Sequence, residues 1–178
     1  MSEKKDVYAE AKKQMRLSER IVAAIPGFRG YKEKELRRES DKLIRNHLHL
    51  KLSESKDDLQ KVFQKLSDRR YFDVLTDMDR LMAKTDRITE KVNHASYGYS
   101  GFFDVVKVKE ENLDRMIDFD NKLVDGVDNL AADVDAFKAE VAKGETKNVK
   151  ERVQNISDKI EAFEETFDKR TEAVLGVT

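Results

Sequence analysis

The sequence predicts an all-α protein, an antiparallel helical bundle or set of coiled-coil hairpins with four or five long helices. Charged residues make up 40% of the 178 residues and the apolar set 39%, which is typical of amphipathic helices. Apolar residues recur at alternating spacings of three and four. Seven glycines and one proline are few, and four of the glycines fall in two short segments between the apolar runs. This length is ordinary for one domain, so we expect residues 1–178 to form a single helical domain.

The first expected element is an N-terminal helix over residues 1–24. Its apolar stripe is weak and consists of Val7, Ala11, Met15, Ile21, Val22 and Ile25. The helix should end at Pro26, because a proline pushes the residue before it out of the α region. The start of the chain lacks the apolar core of a signal peptide, and no run approaches the ~20 apolar residues of a membrane span. We therefore expect a cytoplasmic protein.

Residues 31–94 are predicted to form a helical hairpin. Its apolar positions are Leu36, Leu43, Ile44, Leu48, Leu52, Leu59, Val62, Phe63 and Leu66, then Leu75, Met78, Met82, Thr85, Ile88 and Val92. The step from Leu66 to Leu75 is nine residues rather than seven, and the intervening SDRRYFD begins with a serine that can cap a helix. We therefore expect a turn near 67–72. The alternative is one unbroken helix with an eleven-residue shift through Phe63, Val74 and Thr85.

Residues 110–174 are predicted to form a second hairpin with two apolar seams. The first seam is Leu113, Met116, Asp120, Leu123, Val127, Leu130, Val134, Phe137 and Val141. The second is Val149, Val153, Ile156, Ile160, Phe163, Phe167, Arg170 and Val174. Each seam contains one charged member, Asp120 in the first and Arg170 in the second. Gly144 supplies a helix stop and Thr146 a helix start, so the two helices should run antiparallel.

Two segments, 25–30 and 95–105, combine glycines with aromatic residues. They should lie at the same end of the bundle if successive helices alternate in direction. With Tyr31 they hold six of the fourteen aromatic residues, namely Phe28, Tyr31, Tyr97, Tyr99, Phe102 and Phe103. One interpretation is that the rings plug the open end of the bundle and the glycines supply positive φ values for tight turns. The other is that part of this cap is an exposed docking patch, and both can hold at once.

The two segments belong to longer blocks, IPGFRGYKEKELRRESD at 25–41 and ASYGYSGFFDVVKVKEENLDRMIDFD at 95–120. In these blocks the chain resembles a family of uncharacterised prokaryotic helical proteins. The resemblance covers roughly the first two thirds of the chain. It implies that both segments belong to one feature, and it implies no activity and no cofactor.

Asp120 is an aspartate at a position that should be buried. A buried aspartate is costly unless it is paired, so we expect a structural ion pair, with Arg37 as the preferred partner. Asp120 lies roughly three turns from the 95–105 segment, where Arg37 would reach it if the two glycine-aromatic segments pack together. No second acid, base or nucleophile is placed beside Asp120 by any pattern, so we expect no catalytic residue there.

The histidines do not match a metal-site pattern. Carboxylate-bridged sites in helical bundles use Glu-x-x-His pairs, whereas His47 and His94 have isoleucine and lysine at the glutamate position. His47 and His49 are separated by about 200° around a helix, too far for one ion. Cysteine is absent, which excludes disulfides and thiolate sites. We expect no metal, no cofactor and no enzymatic activity.

Positive charge is concentrated near the N-terminus. Residues 1–51 carry 14 Lys/Arg and 8 Asp/Glu, and the remainder carries 21 and 28. A basic helical face at Lys34, Arg38, Lys42 and Arg45 is interleaved with Glu33, Glu35, Glu39 and Asp41. These neighbours neutralise much of the field, so the sequence disfavours nucleic-acid binding. An anionic membrane surface is the alternative partner of the basic N-terminal third.

The function that this pattern favours is a non-catalytic scaffold or adaptor for a protein partner of unknown identity, with self-association into a homo-oligomer. The expected partner-binding residues are Phe28, Arg29, Tyr31, Arg37, Arg38, Tyr97, Tyr99 and Phe102. The rings would supply contact area and the arginines would set orientation. The alternative is a peripheral membrane protein that binds anionic lipid through the N-terminal third. Nucleic-acid binding and a small-molecule site near Asp120 rank below both.

Overall fold

The chain is all-α, as predicted. The computed structural model describes residues 19, 21–28, 34–95 and 110–175, with the backbone alone at 34–38, 110–114 and 174–175. Throughout these ranges the chain forms helices joined by turns, without a strand. Within these ranges, no helix is long and apolar enough to cross a membrane.

Four long helices follow a short helical segment at residues 21–24. We number them α1 (Lys34–Asp68), α2 (Leu75–His94), α3 (Glu110–Lys143) and α4 (Val149–Leu175), with a 3₁₀ turn at Phe72–Val74 before α2. The turn predicted near 67–72 is confirmed, and the unbroken helix through this region is wrong. The nine-residue step between Leu66 and Leu75 is therefore the length of a turn rather than a shift in helical phase.

The helices α1 and α3 end in the same type of cap. After α3, Gly144 N–H donates to Val141 O at 3.1 Å and Glu145 N–H donates to Glu140 O at 2.9 Å. This is the Schellman arrangement, whose C′ residue takes a positive φ, and Gly144 has φ +86°. After α1, the corresponding bonds run from Arg70 to Ser67 and from Tyr71 to Leu66. The C′ residue there is Arg70 at φ +62°, which is a strained conformation for a residue with a Cβ.

The described chain divides into two compact units. Unit 1 contains the described residues up to His47, those of 95–124, and those from Thr166 onward. Unit 2 contains Leu48–His94 and Asp125–Glu165. The assignment of residues 1–178 to a single domain stays a prediction.

Unit 2 is a bundle of two helical hairpins. Each of its four helical segments is linked to two others by interhelical ion pairs. These pairs are Lys56–Asp86 (α1 to α2), Lys138–Asp58 (α3 to α1), Arg87–Glu164 (α2 to α4) and Lys159–Asp133 (α4 to α3). The order around the bundle is therefore α1, α2, α4, α3. Both turns lie at one end, where Thr146 Oγ1 donates to the Tyr71 hydroxyl at 2.6 Å, so α1 runs parallel to α3 and α2 to α4.

The core of unit 2 follows the predicted apolar spacing, except that Phe63, Leu75 and Met82 are half-buried and that Leu81, which the prediction left out, is buried. Its buried side chains include Leu52, Leu59, Val62, Leu66, Met78, Ile88, Val92, Val127, Leu130, Val134, Phe137, Val141, Val153, Ile156, Ile160 and Phe163. Ser55 and Thr85 also occupy core positions. Each donates its hydroxyl to the carbonyl four residues earlier, at 2.9 Å, which satisfies a polar group that would otherwise be costly to bury.

The described core of unit 1 begins with Ile21, Ile25 and Phe28, all buried. The helical residues 21–24 stop before Pro26, as predicted, and Gly27 then takes φ +89° close to Leu43. Val22 is exposed, so its inclusion in the predicted apolar stripe is wrong. Its neighbour Ile21 faces inward, and adjacent helical residues are about 100° apart around the axis.

Candidate functional site

Four charged residues are buried in the described chain, and all four belong to one network in unit 1. They are Asp41 and Arg45 on α1, Asp120 on α3 and Arg170 on α4. Arg170 and Asp120 have no solvent-exposed surface at all. The network contains two carboxylates and two guanidinium groups, which balance in formal charge.

The geometry of the network joins three helices. Arg170 Nε donates to Asp120 Oδ1, and Arg170 Nη2 donates to Asp41 Oδ1 at 2.8 Å. The second oxygen of Asp41 accepts a bond from Arg45 Nε at 2.8 Å, four residues along the same helix. Arg170 is suited to this position because its planar guanidinium presents donors in fixed directions to two acceptors at once.

The network forms around two charged residues that occupy positions in the apolar seams of their helices. Asp120 and Arg170 both replace an apolar residue in the alternating three- and four-residue spacing of their helices. Burying either group alone would cost several kcal/mol, and pairing with several hydrogen bonds offsets that cost. The arrangement therefore favours the helix register that places Asp120, Asp41 and Arg170 together over registers that separate them.

The expected burial and pairing of Asp120 are confirmed, and the described cation beside it is Arg170. The side chain of Arg37, the preferred partner in the sequence analysis, lies outside the described residues. Sequence reasoning missed the roles of Arg170, Asp41 and Arg45. The signal was available for Arg170, because one seam contained a lone acid and the other a lone base.

Most of the predicted partner-binding residues lie outside the part of the chain that the structure describes. Arg29, Tyr31, Tyr97, Tyr99 and Phe102 lie outside the described residues, as do the side chains of Arg37 and Arg38. Phe28 is described and only 5% exposed. Its ring is buried within unit 1, which removes Phe28 from any exposed contact surface.

The sides of unit 2 are lined by interhelical ion pairs. Burial raises the pKa of Asp58, but hydrogen bonds from Lys138 and Lys61 outweigh it and hold the pKa below its ordinary value. The pKa of Lys138 is raised in return, chiefly by its hydrogen bond to Asp58. The bond between Lys138 and Asp58 connects α1 to α3, the two parallel neighbours, and so ties one hairpin to the other.

A second link between the hairpins centres on Glu164 of α4. Burial raises its pKa, and hydrogen bonds from Arg87 and Lys91 of α2 reverse that effect, so that the pKa lies below its ordinary value. One turn earlier, Lys84 donates to Ser157 at 2.8 Å and pairs with Glu161. The side between α2 and α4 is therefore held at two successive turns, by Glu164 between two cations and by Lys84 between a hydroxyl and a carboxylate.

The turn end of unit 2, residues 65–73 and 143–151, is the hairpin tip. Arg69 donates from Nη1 to Val141 O and from Nη2 to Ala142 O, at 3.3 Å for the latter, and so caps the last carbonyls of α3. Tyr71 and Phe72 are 40% and 63% exposed. A cleft of about 460 Å³ lies beside these rings and is lined by the segments 70–74 and 146–151.

The cations of unit 2 divide by position. Along its length, nine Lys/Arg side chains form ion pairs, namely Lys56, Lys61, Arg80, Lys84, Arg87, Lys91, Lys138, Arg152 and Lys159. None of the six cations of the hairpin tip has a carboxylate partner among the described residues: Arg69 donates to backbone carbonyls, and the other five are Lys65, Arg70, Lys143, Lys147 and Lys150. Away from the tip, this holds in unit 2 only for Lys51.

No group of three or more histidine and carboxylate side chains that could hold a metal ion occurs within the described ranges. Comparison with known proteins does not place the chain in a family, since no family model, curated protein or solved structure matches it. The resemblance of the two glycine-aromatic blocks to a family of helical proteins stays a prediction.

Proposed function

We propose that this protein is a non-catalytic helical scaffold or adaptor that binds a protein partner. The observation that carries the proposal is a buried network of ion pairs that joins three helices. Its members are Asp41, Arg45, Asp120 and Arg170. Charged groups held by one another in this way fix helix register. A scaffold needs such a fixed arrangement in order to present its loops in a constant geometry.

The proposed partner surface consists of Arg29, Tyr31, Arg37, Arg38, Tyr97, Tyr99 and Phe102. Its composition supports the assignment, because aromatic and arginine residues dominate the energetic centres of protein interfaces. Phe28 is left out because its ring is buried. Self-association through the remaining coiled-coil faces of the helices and a cytoplasmic location belong to the same proposal.

The test is a triple substitution in the full chain, Arg29→Ala, Tyr97→Ala and Tyr99→Ala. Tagged wild-type and variant proteins are compared by quantitative affinity purification from the native cell extract. Arg80→Ala is the control, because Arg80 is an exposed arginine on the side of unit 2. We expect the triple variant to lose partners that the control retains. Unchanged partners for a triple variant of wild-type helical content would refute the proposed surface.

Flotation with vesicles that contain phosphatidylserine distinguishes the membrane alternative from the adaptor proposal. The excess of Lys/Arg over Asp/Glu in residues 1–51 is the feature that favours it. Binding of the full chain that disappears when residues 1–24 are deleted would support the lipid function and replace the adaptor proposal. We expect no flotation of either form.

A further inference from the structure

We propose that the hairpin tip of unit 2 is a docking site for an acidic peptide segment that carries an aromatic or aliphatic side chain. The site is distinct in sequence from the loop residues of the proposed function and does not depend on them. An adaptor with both surfaces would connect two partners.

Exposed aromatic rings are the first observation. Phe72 is the most exposed of the large apolar side chains in the described chain, and the exposed Tyr71 directly precedes it in sequence. The Tyr71 hydroxyl accepts a hydrogen bond from Thr146 of the other hairpin, which fixes the position of the hydroxyl end of the side chain. Together with the adjoining cleft, the rings offer an apolar contact for one or two side chains of a peptide.

The second observation is positive charge that is uncommitted, meaning that these cations have no carboxylate partner among the described residues. Arg70, Lys147 and Lys150 line the cleft together with the carboxylates Asp73 and Glu151. The whole tip carries six Lys/Arg against four Asp/Glu, while the rest of unit 2 carries ten against sixteen. The tip is thus the positive end of an acidic unit, and this charge complements a carboxylate-bearing partner.

Two features of the tip are unfavourable for stability. Arg70 occupies the positive-φ cap position that Gly144 occupies in the other hairpin. Lys147 and Lys150 lie at the N-terminal end of α4, where the helix dipole disfavours cations. Strained or locally unfavourable residues that gather on one exposed surface are more readily explained by binding than by folding.

The chemistry favours a peptide over the other anionic partners. The four carboxylates of the tip are interleaved with its cations. These carboxylates would repel the evenly charged backbone of a nucleic acid or the plane of an anionic bilayer. A peptide places a few discrete carboxylates and can avoid them. A second copy of unit 2 is a poorer match, because many of its carboxylates, such as Asp58, Asp133 and Glu164, are already in ion pairs.

The experiment selects peptides on the immobilised full chain from a phage-displayed library of random ~12-residue peptides. The tip variant is Phe72→Ala/Lys147→Gln. The matched control is Leu50→Ala/Lys51→Gln, which removes another exposed apolar side chain and the uncommitted cation away from the tip. Circular dichroism and thermal unfolding verify that both variants keep the wild-type fold, as expected for exposed side chains.

We expect the selected peptides to be rich in Asp and Glu around an aromatic or aliphatic residue. A synthetic copy of the most enriched peptide should bind the tip variant about tenfold more weakly than the control variant. Failure to enrich acidic peptides, or equal affinity for the two variants, would overturn the proposal. So would binding of oligo-dT, of phosphatidylserine vesicles or of a second copy of the chain that the tip variant alone loses.

The outcome is separable from that of the proposed function. The triple substitution at Arg29, Tyr97 and Tyr99 leaves every residue of the tip unchanged, and it should leave the affinity for the selected peptide unchanged. Partners retained by the triple variant, together with tip-dependent binding of acidic peptides, would refute the proposed function alone. Partners lost by the triple variant, together with no tip-dependent binding of acidic peptides, would refute the docking site alone.

Discussion

Arg170 of α4 and Asp120 of α3 face each other in the core of unit 1, and neither side chain has exposed surface. The guanidinium of Arg170 also donates to Asp41 of α1. A single side chain from one helix thereby neutralises carboxylates on two others. Removal of Arg170 should consequently expose the energetic cost of two buried acids.

We expect Arg170→Met to lower the free energy of unfolding by about 3–5 kcal/mol, because Asp120 loses its described cation and Asp41 loses one of two. Urea denaturation monitored by circular dichroism measures this change. The double variant Arg170→Met/Asp120→Leu should be more stable than the sum of the single losses predicts, since Asp41 keeps Arg45. Additive losses would show that Arg170 and Asp120 do not interact.

Arg70 and Gly144 provide a matched test of backbone strain. Both occupy the positive-φ position of a helix cap, at +62° and +86°. Arg70→Gly should raise the free energy of unfolding by about 0.5 kcal/mol, as relief of strain exceeds the added flexibility of the unfolded chain. Gly144→Ala should lower it by about 1 kcal/mol.

The control for this pair is Arg80→Gly, which places a glycine inside α2. It should destabilise the protein by about 1 kcal/mol, because glycine is a poor helix former. Equal losses for Arg70→Gly and Arg80→Gly in chemical denaturation would contradict the strain assigned to Arg70.

Acid should weaken unit 2 through Asp58 and Glu164. The folded-state pKa of each carboxyl lies below its ordinary value, 3.8 for the aspartate and 4.5 for the glutamate. Their contribution to stability is therefore complete above those ordinary values and is lost as the pH falls through the folded-state pKa values. Urea midpoints measured from neutral pH downward should fall in this acid range.

The double variant Asp58→Asn/Glu164→Gln isolates the effect. It should be less stable than wild type at neutral pH, and its urea midpoint should fall less steeply in acid because two titrating groups are gone. Parallel pH profiles for variant and wild type would assign the acid sensitivity to other groups.

Arg69 connects the two turns of the hairpin tip. Arg69→Ala removes two charge-assisted hydrogen bonds to the last carbonyls of α3 and should cost about 1.5–3 kcal/mol. Amide hydrogen exchange should accelerate at residues 140–146, where the cap is loosened. Arg69→Lys should recover only part of the loss, because an ammonium group cannot span both carbonyls as the guanidinium does. Unchanged exchange at 140–146 would rule out the capping role.

Much of the fold was predictable because helix periodicity is a local property. The three- and four-residue spacing located the cores of α3 and α4, and Gly144 located the turn between them. The turn before α2 was indicated by the nine-residue step and the SDRRYFD segment, although the same spacing also allowed an unbroken helix. The cap residue Arg70 was not, because nothing in its side chain signals a positive φ.

The candidate sites were less predictable. Asp120 was recognised as a buried acid, but sequence spacing does not state which helix faces it, and so Arg170 and Asp41 were missed as partners. The hairpin tip was missed because Tyr71, Phe72 and Thr146 look like ordinary turn residues in their separate segments. Only the parallel placement of the two hairpins brings those segments together.

By itself the sequence determined that this chain forms long amphipathic helices, where they turn, and that charges stand at two apolar positions. These properties depend on residues a few positions apart, whose relation is set by the pitch of the helix. The tertiary structure alone decided that Arg170 serves both Asp120 and Asp41, and that uncommitted cations meet exposed rings at the hairpin tip. Such relations depend on which faces pack and in what register, since residues distant in sequence become neighbours only when the helices associate.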